Sequence, residues 1–150
     1  MLTVFDKALL NIIQTDLPIA SRPFAILAEQ LQVEEAYVIE RLQYLKAHGY
    51  IRRIGPFFDS DRLGYVGTLV AVRVQPAHMR EVAETINQYS GVTHNYEREG
   101  FYNLWFALLA SNQAVMEKIL ARIKGLTGVD KLISLPATKK FKVSVRFNLQ

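Results

Sequence analysis

Before Gly49, apolar residues recur three times at helical spacing. Leu2, Phe5, Leu9, Ile12 and Ile13 mark a first helix, and Asp16-Leu17-Pro18 ends it. Arg22-Pro23 opens a second helix, with proline at the first-turn position it tolerates best. Its Phe24, Leu27, Ala28 and Leu31 share one face. A third helix runs from about Glu34 to His48 on the stripe Val38, Ile39, Leu42 and Leu45, and Gly49 suits its C-terminal cap. Tyr50-Ile51-Arg52-Arg53-Ile54 then reads as a short strand, followed by an Asp59-Ser60-Asp61 turn. Three short helices and a wing strand predict a winged helix-turn-helix module over 1–62.

From Tyr65 the period changes. Tyr65–Gln75 is rich in Val, Leu and Thr and predicts a strand. After Pro76, Met79, Val82, Ala83, Ile86 and Tyr89 line one helical face until Gly91. Val92–Glu99 and Tyr102–Ala110 predict two strands joined at Gly100. Ser111-Asn112 can cap a helix carrying Val115, Met116, Ile119, Leu120 and Ile123, closed by Gly125. A final strand is expected where Phe141, Val143, Val145 and Phe147 alternate with Lys140, Lys142, Ser144 and Arg146. The expectation is an α+β chain with a ferredoxin-like βαββαβ module over 63–150. Four strands leave edges and one sheet face uncovered, and dimerisation is a common way to cover them.

Composition narrows the chemistry. The chain has no cysteine, which excludes disulfides, thiolate metal sites and cysteine nucleophiles. No apolar run approaches the roughly 20 residues of a membrane helix, and Met1–Phe5 lacks a signal-peptide pattern, so a cytoplasmic protein without membrane contact is expected. The net charge of +4 is unevenly spread: residues 1–60 hold six basic and seven acidic residues, and the remainder hold twelve and seven. The helix-turn-helix module is therefore net −1, and the rest of the chain is net +5. A DNA-reading helix presents cations or neutral polar groups at its N-terminal end. Here that end carries Glu34 and Glu35, with Glu40 one turn on, which suits the helix dipole but repels phosphate. Nucleic acid is therefore not the expected partner. If DNA were bound, Arg52 and Arg53 would be the contacts to phosphate.

Helix-turn-helix followed by βαββαβ resembles the Lrp/AsnC regulators, and such a DNA-binding regulator is the alternative reading. More specific is the string Gly91-Val92-Thr93-His94-Asn95-Tyr96-Glu97-Arg98-Glu99, followed by Tyr102-Asn103-Leu104-Trp105-Phe106. Tyr50-Ile51-Arg52-Arg53-Ile54-Gly55, Leu63-Gly64-Tyr65, Leu135-Pro136-Ala137 and Phe141-Lys142 accompany it. With these segments the chain resembles the siroheme decarboxylase subunits of alternative haem and nitrite-reductase haem biosynthesis, from the first helix to the end.

The residues also carry a reading of their own. On a strand, Val92, His94, Tyr96 and Arg98 share one face and Thr93, Asn95, Glu97 and Glu99 the other. The first row offers a titratable imidazole, a phenol and a carboxylate clamp. A single strand histidine is ordinarily a satisfied polar residue; Tyr96 and Arg98 beside it raise His94 above that reading. His48, in the last turn of a helix, complements the dipole, and His78 sits in a solvated first turn. Cations are available at Arg52, Arg53, Arg62, Arg73, Arg98, Lys139, Lys140, Lys142 and Arg146. Flat apolar surface is available at Tyr96, Tyr102, Trp105 and Phe106. Plain core packing competes for Trp105 and Phe106, and a solvated edge strand competes for the C-terminal lysines.

The resemblance implies a carboxy-lyase acting on siroheme, an iron tetrapyrrole rimmed with acetates and propionates. It implies removal of carbon dioxide from the acetates at C12 and C18 to give 12,18-didecarboxysiroheme, with no added cofactor. It points to His94, Tyr96 and Arg98 as catalytic residues, with His94 either proton donor or axial ligand to the substrate iron. Arg52, Arg53, Tyr102, Trp105, Lys139, Lys140 and Lys142 are the expected substrate-binding residues. The implied protein partner is a paralogous subunit or a second copy of the chain.

Overall fold

The computed structural model describes residues 1–56, 58–143 and 145–150. They form two compact units, Met1–Pro56 with Lys142–Gln150, and Phe57–Phe141. The C-terminal nine residues thus join the helical unit rather than the sheet module in which the sequence placed them.

The helical unit is built from α1 (Val4–Ile13), α2 (Pro23–Leu31) and α3 (Glu35–Ala47). Thr3 and Asp6 make a capping box at the start of α1, each side chain accepting the other's backbone N–H, at 3.1 and 2.8 Å. Leu9, Leu27, Ala28, Val38, Leu42, Leu45 and Ile51 are its core. Asp6 is also wholly buried, and Arg41 of α3 donates to both its carboxylate oxygens at 2.9 Å. These Arg41 bonds hold the Asp6 carboxyl at about 2, below its ordinary 3.8; burial works against them, and Thr3 adds to them.

The expected wing strand at 50–54 is not formed among the described residues. The N–H groups of Tyr50 and Ile51 both donate to the Leu45 carbonyl, at 2.9 and 3.2 Å. The donors a ladder would need instead close the C-terminus of α3, and Ile51 is drawn into the helical core. The Asp59 turn is present, its carboxylate accepting from the N–H groups of Asp61 and Arg62.

The second unit runs β1 (Val66–Val74), a single 3-10 turn (Pro76–His78), α4 (Met79–Asn87), β2 (Val92–Glu97), β3 (Leu104–Ala110), α5 (Gln113–Lys124) and β4 (Val129–Leu135). The sheet order is β2-β3-β1-β4 and every neighbouring pair is antiparallel, the split βαβ arrangement. Val70, Val72, Val74, Leu104, Phe106 and Leu108 point from the sheet into a core completed by α4 and α5. Both helices cover this one face, and the opposite face stays open.

The final strand expected at 140–147 is a correction. The fourth strand is Val129–Leu135, which takes the place beside β1, and the described residues of 140–147 form no strand. Phe141, Val143 and Val145 are 87, 79 and 70% exposed, so their alternation packs on nothing; Ser144 lies outside the described residues. Side chains of α1 engage the backbone instead. Gln14 donates to the Phe147 carbonyl and accepts its N–H, at 2.7 and 2.8 Å. Asn11 does the same for Leu149, and Lys7 bonds the Gln150 carbonyl. No helix among the described residues is long and apolar enough to cross a membrane.

Candidate functional site

Regular alternation would put Val92 beside His94, but the strand is irregular there. Val92 pairs with Leu108 and His94 with Ala107, a bulge that lets two successive steps of β2 oppose one step of β3. Val92 therefore packs into the helix-covered core, while His94 and Tyr96 project from the open face. Gly91 makes the bulge possible: its carbonyl accepts from Leu109 N–H at 2.8 Å, and a Cβ there would lie 2.0 Å from the Leu109 oxygen. On the covered side, Asn95 anchors β2 to α4 by donating to the Ala83 carbonyl and the Asn87 side chain, at 3.1 and 2.9 Å.

The registers place three cross-strand rows on the open face. His94, Ala107, Leu69 and Leu135 form the first, and Tyr96, Trp105, Ala71 and Ile133 the second. Arg98 follows β2 on the same side, beyond Tyr96, and Arg73 pairs with Lys131 one step beyond Ala71 and Ile133. A depression of about 450 Å³ is lined by Leu69, His94, Tyr96, Arg98, Trp105, Phe106 and Ala107. The His94 and Tyr96 rings are 6.0 Å apart, and the Arg98 guanidinium lies 5.9 Å from the Tyr96 ring. His94 Nδ1 is 3.1 Å from the Thr93 hydroxyl, which steadies the ring and leaves Nε2 for other work.

Trp105 and Phe106 separate cleanly. Phe106 is 1% exposed and belongs to the core, whereas Trp105 is on the open face with its indole N–H donating to the Tyr102 carbonyl at 2.8 Å. Tyr102 contributes that carbonyl, and its ring packs edge-on against Phe101, 5.0 Å away. Asn103 organises the turn: its amide donates to the Val74 carbonyl and accepts Val74 N–H, both at 2.8 Å. Its own carbonyl accepts Arg98 N–H at 2.9 Å, which fixes where Arg98 leaves the sheet.

The remaining expected residues lie elsewhere. Arg52 and Arg53 line a pocket of about 420 Å³ in the helical unit with Leu10, Ile13, Ile51 and Phe147. Lys140 pairs with Asp61, and the Lys139 ammonium lies 5.0 Å from the Phe141 ring. Neither these lysines nor Lys142 lines the sheet depression. His48 bonds the Tyr44 carbonyl at 2.9 Å, and His78 is half-buried beside Gly128. No group of three or more His, Asp or Glu side chains gathers as a metal site among the described residues. The sequence reading missed Leu69, Ala107 and Asn103. Both faces of β1 and β3 are apolar, so no alternation marked which side Leu69 and Ala107 would take.

Residues 6–52 match the siroheme decarboxylase NirDL-like HTH domain, and residues 62–142 match the AsnC-like ligand binding domain. The siroheme decarboxylase alpha subunit of Desulfovibrio desulfuricans is 43% identical, over 96% of this chain and 83% of its own length. The siroheme decarboxylase NirD subunit of Pseudomonas aeruginosa is 40% identical, over 97% of this chain and 95% of its own. Among solved structures, the siroheme decarboxylase NirDL in co-complex with an iron-uroporphyrin III analogue superposes with a TM-score of 0.67 at 32% identity. That match covers 94% of this chain and 47% of the other, so this chain spans about half of it.

Proposed function

Because this chain belongs to the siroheme decarboxylase family, we propose that it is a subunit of a carboxy-lyase that removes carbon dioxide from the C12 and C18 acetates of siroheme. The observation that carries this reading is the row His94, Tyr96 and Arg98 beside a Trp105 floor on an uncovered sheet face. A flat, acidic iron macrocycle is matched by an aromatic floor, cations at one end and a titratable group at the other. No added cofactor enters the reaction, and the enzyme works in the cytoplasm.

The chemistry is redox-neutral. A proton delivered to the conjugated ring carbon turns the pyrrole into an electron sink. The bond between the acetate methylene and its carboxylate then breaks, its electron pair moves into the ring, and carbon dioxide departs. The resulting enamine-like methylene takes a proton and becomes the methyl group, while the ring gives its first proton back. One proton is consumed for each carbon dioxide released. His94 is the proton donor, its ring standing on the open face with Nε2 unengaged by Thr93. Tyr96 positions the reacting acetate by hydrogen bonding, and Arg98 holds a carboxylate that stays. The apolar surround of Leu69, Ala107 and Trp105 favours loss of the acetate charge as neutral carbon dioxide. A second subunit, paralogous or identical, covers the open face, in keeping with relatives that are themselves named as subunits.

Siroheme turnover followed by mass spectrometry tests the reading, with the chain alone and with a co-encoded paralogue. Products lighter by one and then two carbon dioxide units are expected, with turnover lost in His94→Ala. Unchanged siroheme in both mixtures would refute the assignment. An active His94→Ala variant with a normal haem spectrum would remove His94 from the mechanism.

A further inference from the structure

Arg73 and Lys131 are register partners on adjacent strands, so two positive side chains stand directly opposite each other. Like charges in that position destabilise a sheet. Among the described residues neither is paired with a carboxylate. Both converge on the exposed ring of Phe101, the guanidinium 5.6 Å and the ammonium 5.5 Å from its centroid. Arg73 also donates to the Phe101 carbonyl at 3.3 Å, which ties the turn before β3 to β1. Edge-strand protection does not account for Arg73, because β1 is an interior strand. The nearest acid on β4, Asp130, precedes Lys131 and therefore points to the opposite side, where it accepts from Gln75.

We infer that Arg73 and Lys131, braced on Phe101, form a carboxylate-binding subsite at the end of the open face remote from His94. The inference rests on the proposed tetrapyrrole substrate and adds what orients it. With Arg98, the pair places the cations at the third row of the face, four residues or about 13 Å along the strand direction from the row of His94, with Arg73 and Lys131 a further two and three strands across. Rim carboxylates held there fix the macrocycle in its plane and decide which acetate reaches the imidazole. The like-charge repulsion is relieved when an anion binds between the two groups, so the subsite is most stable when filled.

Iron uroporphyrin binding, read by the Soret band and by quenching of Trp105, the chain's single tryptophan, tests this. The variants are Arg73→Gln/Lys131→Gln and the charge-preserving Arg73→Lys/Lys131→Arg, each checked for folding by near-UV circular dichroism. The neutral pair should raise Kd by about tenfold to a hundredfold and flatten its salt dependence. The charge-preserving pair should recover most of the affinity. In turnover, KM should rise far more than kcat falls, with a changed ratio of the singly decarboxylated isomers. Equal affinity in the wild type and the neutral variant would overturn the subsite. If the wild type gives no Soret change either alone or with the co-encoded paralogue, the substrate reading fails and mellitate, a planar polycarboxylate without a macrocycle, decides the subsite alone. Shifts of the Arg73 and Lys131 amide resonances on adding mellitate support it, and static resonances refute it.

Discussion

Gly91 lies so close to Leu109 that a side-chain carbon on it would meet the Leu109 carbonyl oxygen at 2.0 Å. Backbone cannot yield as a flexible side chain can, so Gly91→Ala must move β2 against β3. We expect a loss of about 2 kcal/mol or more in urea unfolding, with faster amide exchange at His94 and Tyr96. An alanine variant with wild-type stability and exchange would show that the bulge does not depend on this contact.

The buried Asp6–Arg41 pair makes stability depend on acid. The folded Asp6 titrates at about 2 against an ordinary 3.8, so the unfolded chain binds the proton first as pH falls. The contribution is complete above about pH 4 and disappears as pH drops towards 2; it amounts to about 2 kcal/mol. Denaturant unfolding at a series of pH values should show that loss, and Asp6→Asn should remove the dependence. The substitution also strands Arg41, so its stability at neutral pH should fall by about 3 kcal/mol.

Asn103 replaces a missing ladder step with its own amide, using both its donor and its acceptor on Val74. Asn103→Asp keeps the acceptor but sets a carboxylate oxygen against the Val74 carbonyl; Asn103→Ala loses both bonds without that repulsion. We therefore expect both to destabilise the protein, the alanine by about 2 kcal/mol, measured by thermal unfolding. Turnover should fall in both because the turn also sets Arg98.

The first turn of α3 predicts behaviour towards DNA. Glu34 is its N-cap, and Glu35 is paired with Arg22 on the preceding segment. We expect no sequence-selective binding in gel-shift assays at physiological salt, and only weak, salt-sensitive retention through the net positive charge of the chain. Nanomolar discrimination between DNA sequences would restore a regulatory role.

Helices were legible because apolar stripes came with boundary residues: Pro23, Asn112 and Gly125 stand where the sequence put them, whereas the Thr3–Asp6 capping box of α1 was not read. β4 was not legible. Val129–Leu135 alternates poorly, whereas 140–147 alternates well, yet pairing depends on which segment reaches β1. His94, Tyr96 and Arg98 were readable as a row, but assigning Val92 to it failed on one inserted residue, and no local pattern announces a bulge. Asn103 was visible only as part of a motif, since its role lies in hydrogen bonds to a residue 29 positions away. Lys139, Lys140 and Lys142, expected to bind substrate, do not line the sheet depression, because charge in sequence carries no direction.

The hold of α1 on the C-terminal segment has a consequence for how that segment can vary. Lys7, Asn11 and Gln14 fall on one side of the helix and reach main-chain atoms of the C-terminal segment, so a helix here plays the part of a neighbouring strand. Such a grip is indifferent to side-chain identity. Phe147 and Leu149 are thereby left to line an apolar pocket, and Asn148 between them is free to vary. What the arrangement does not tolerate is an imino acid at 147 or 149, which would silence the N–H that Gln14 or Asn11 receives.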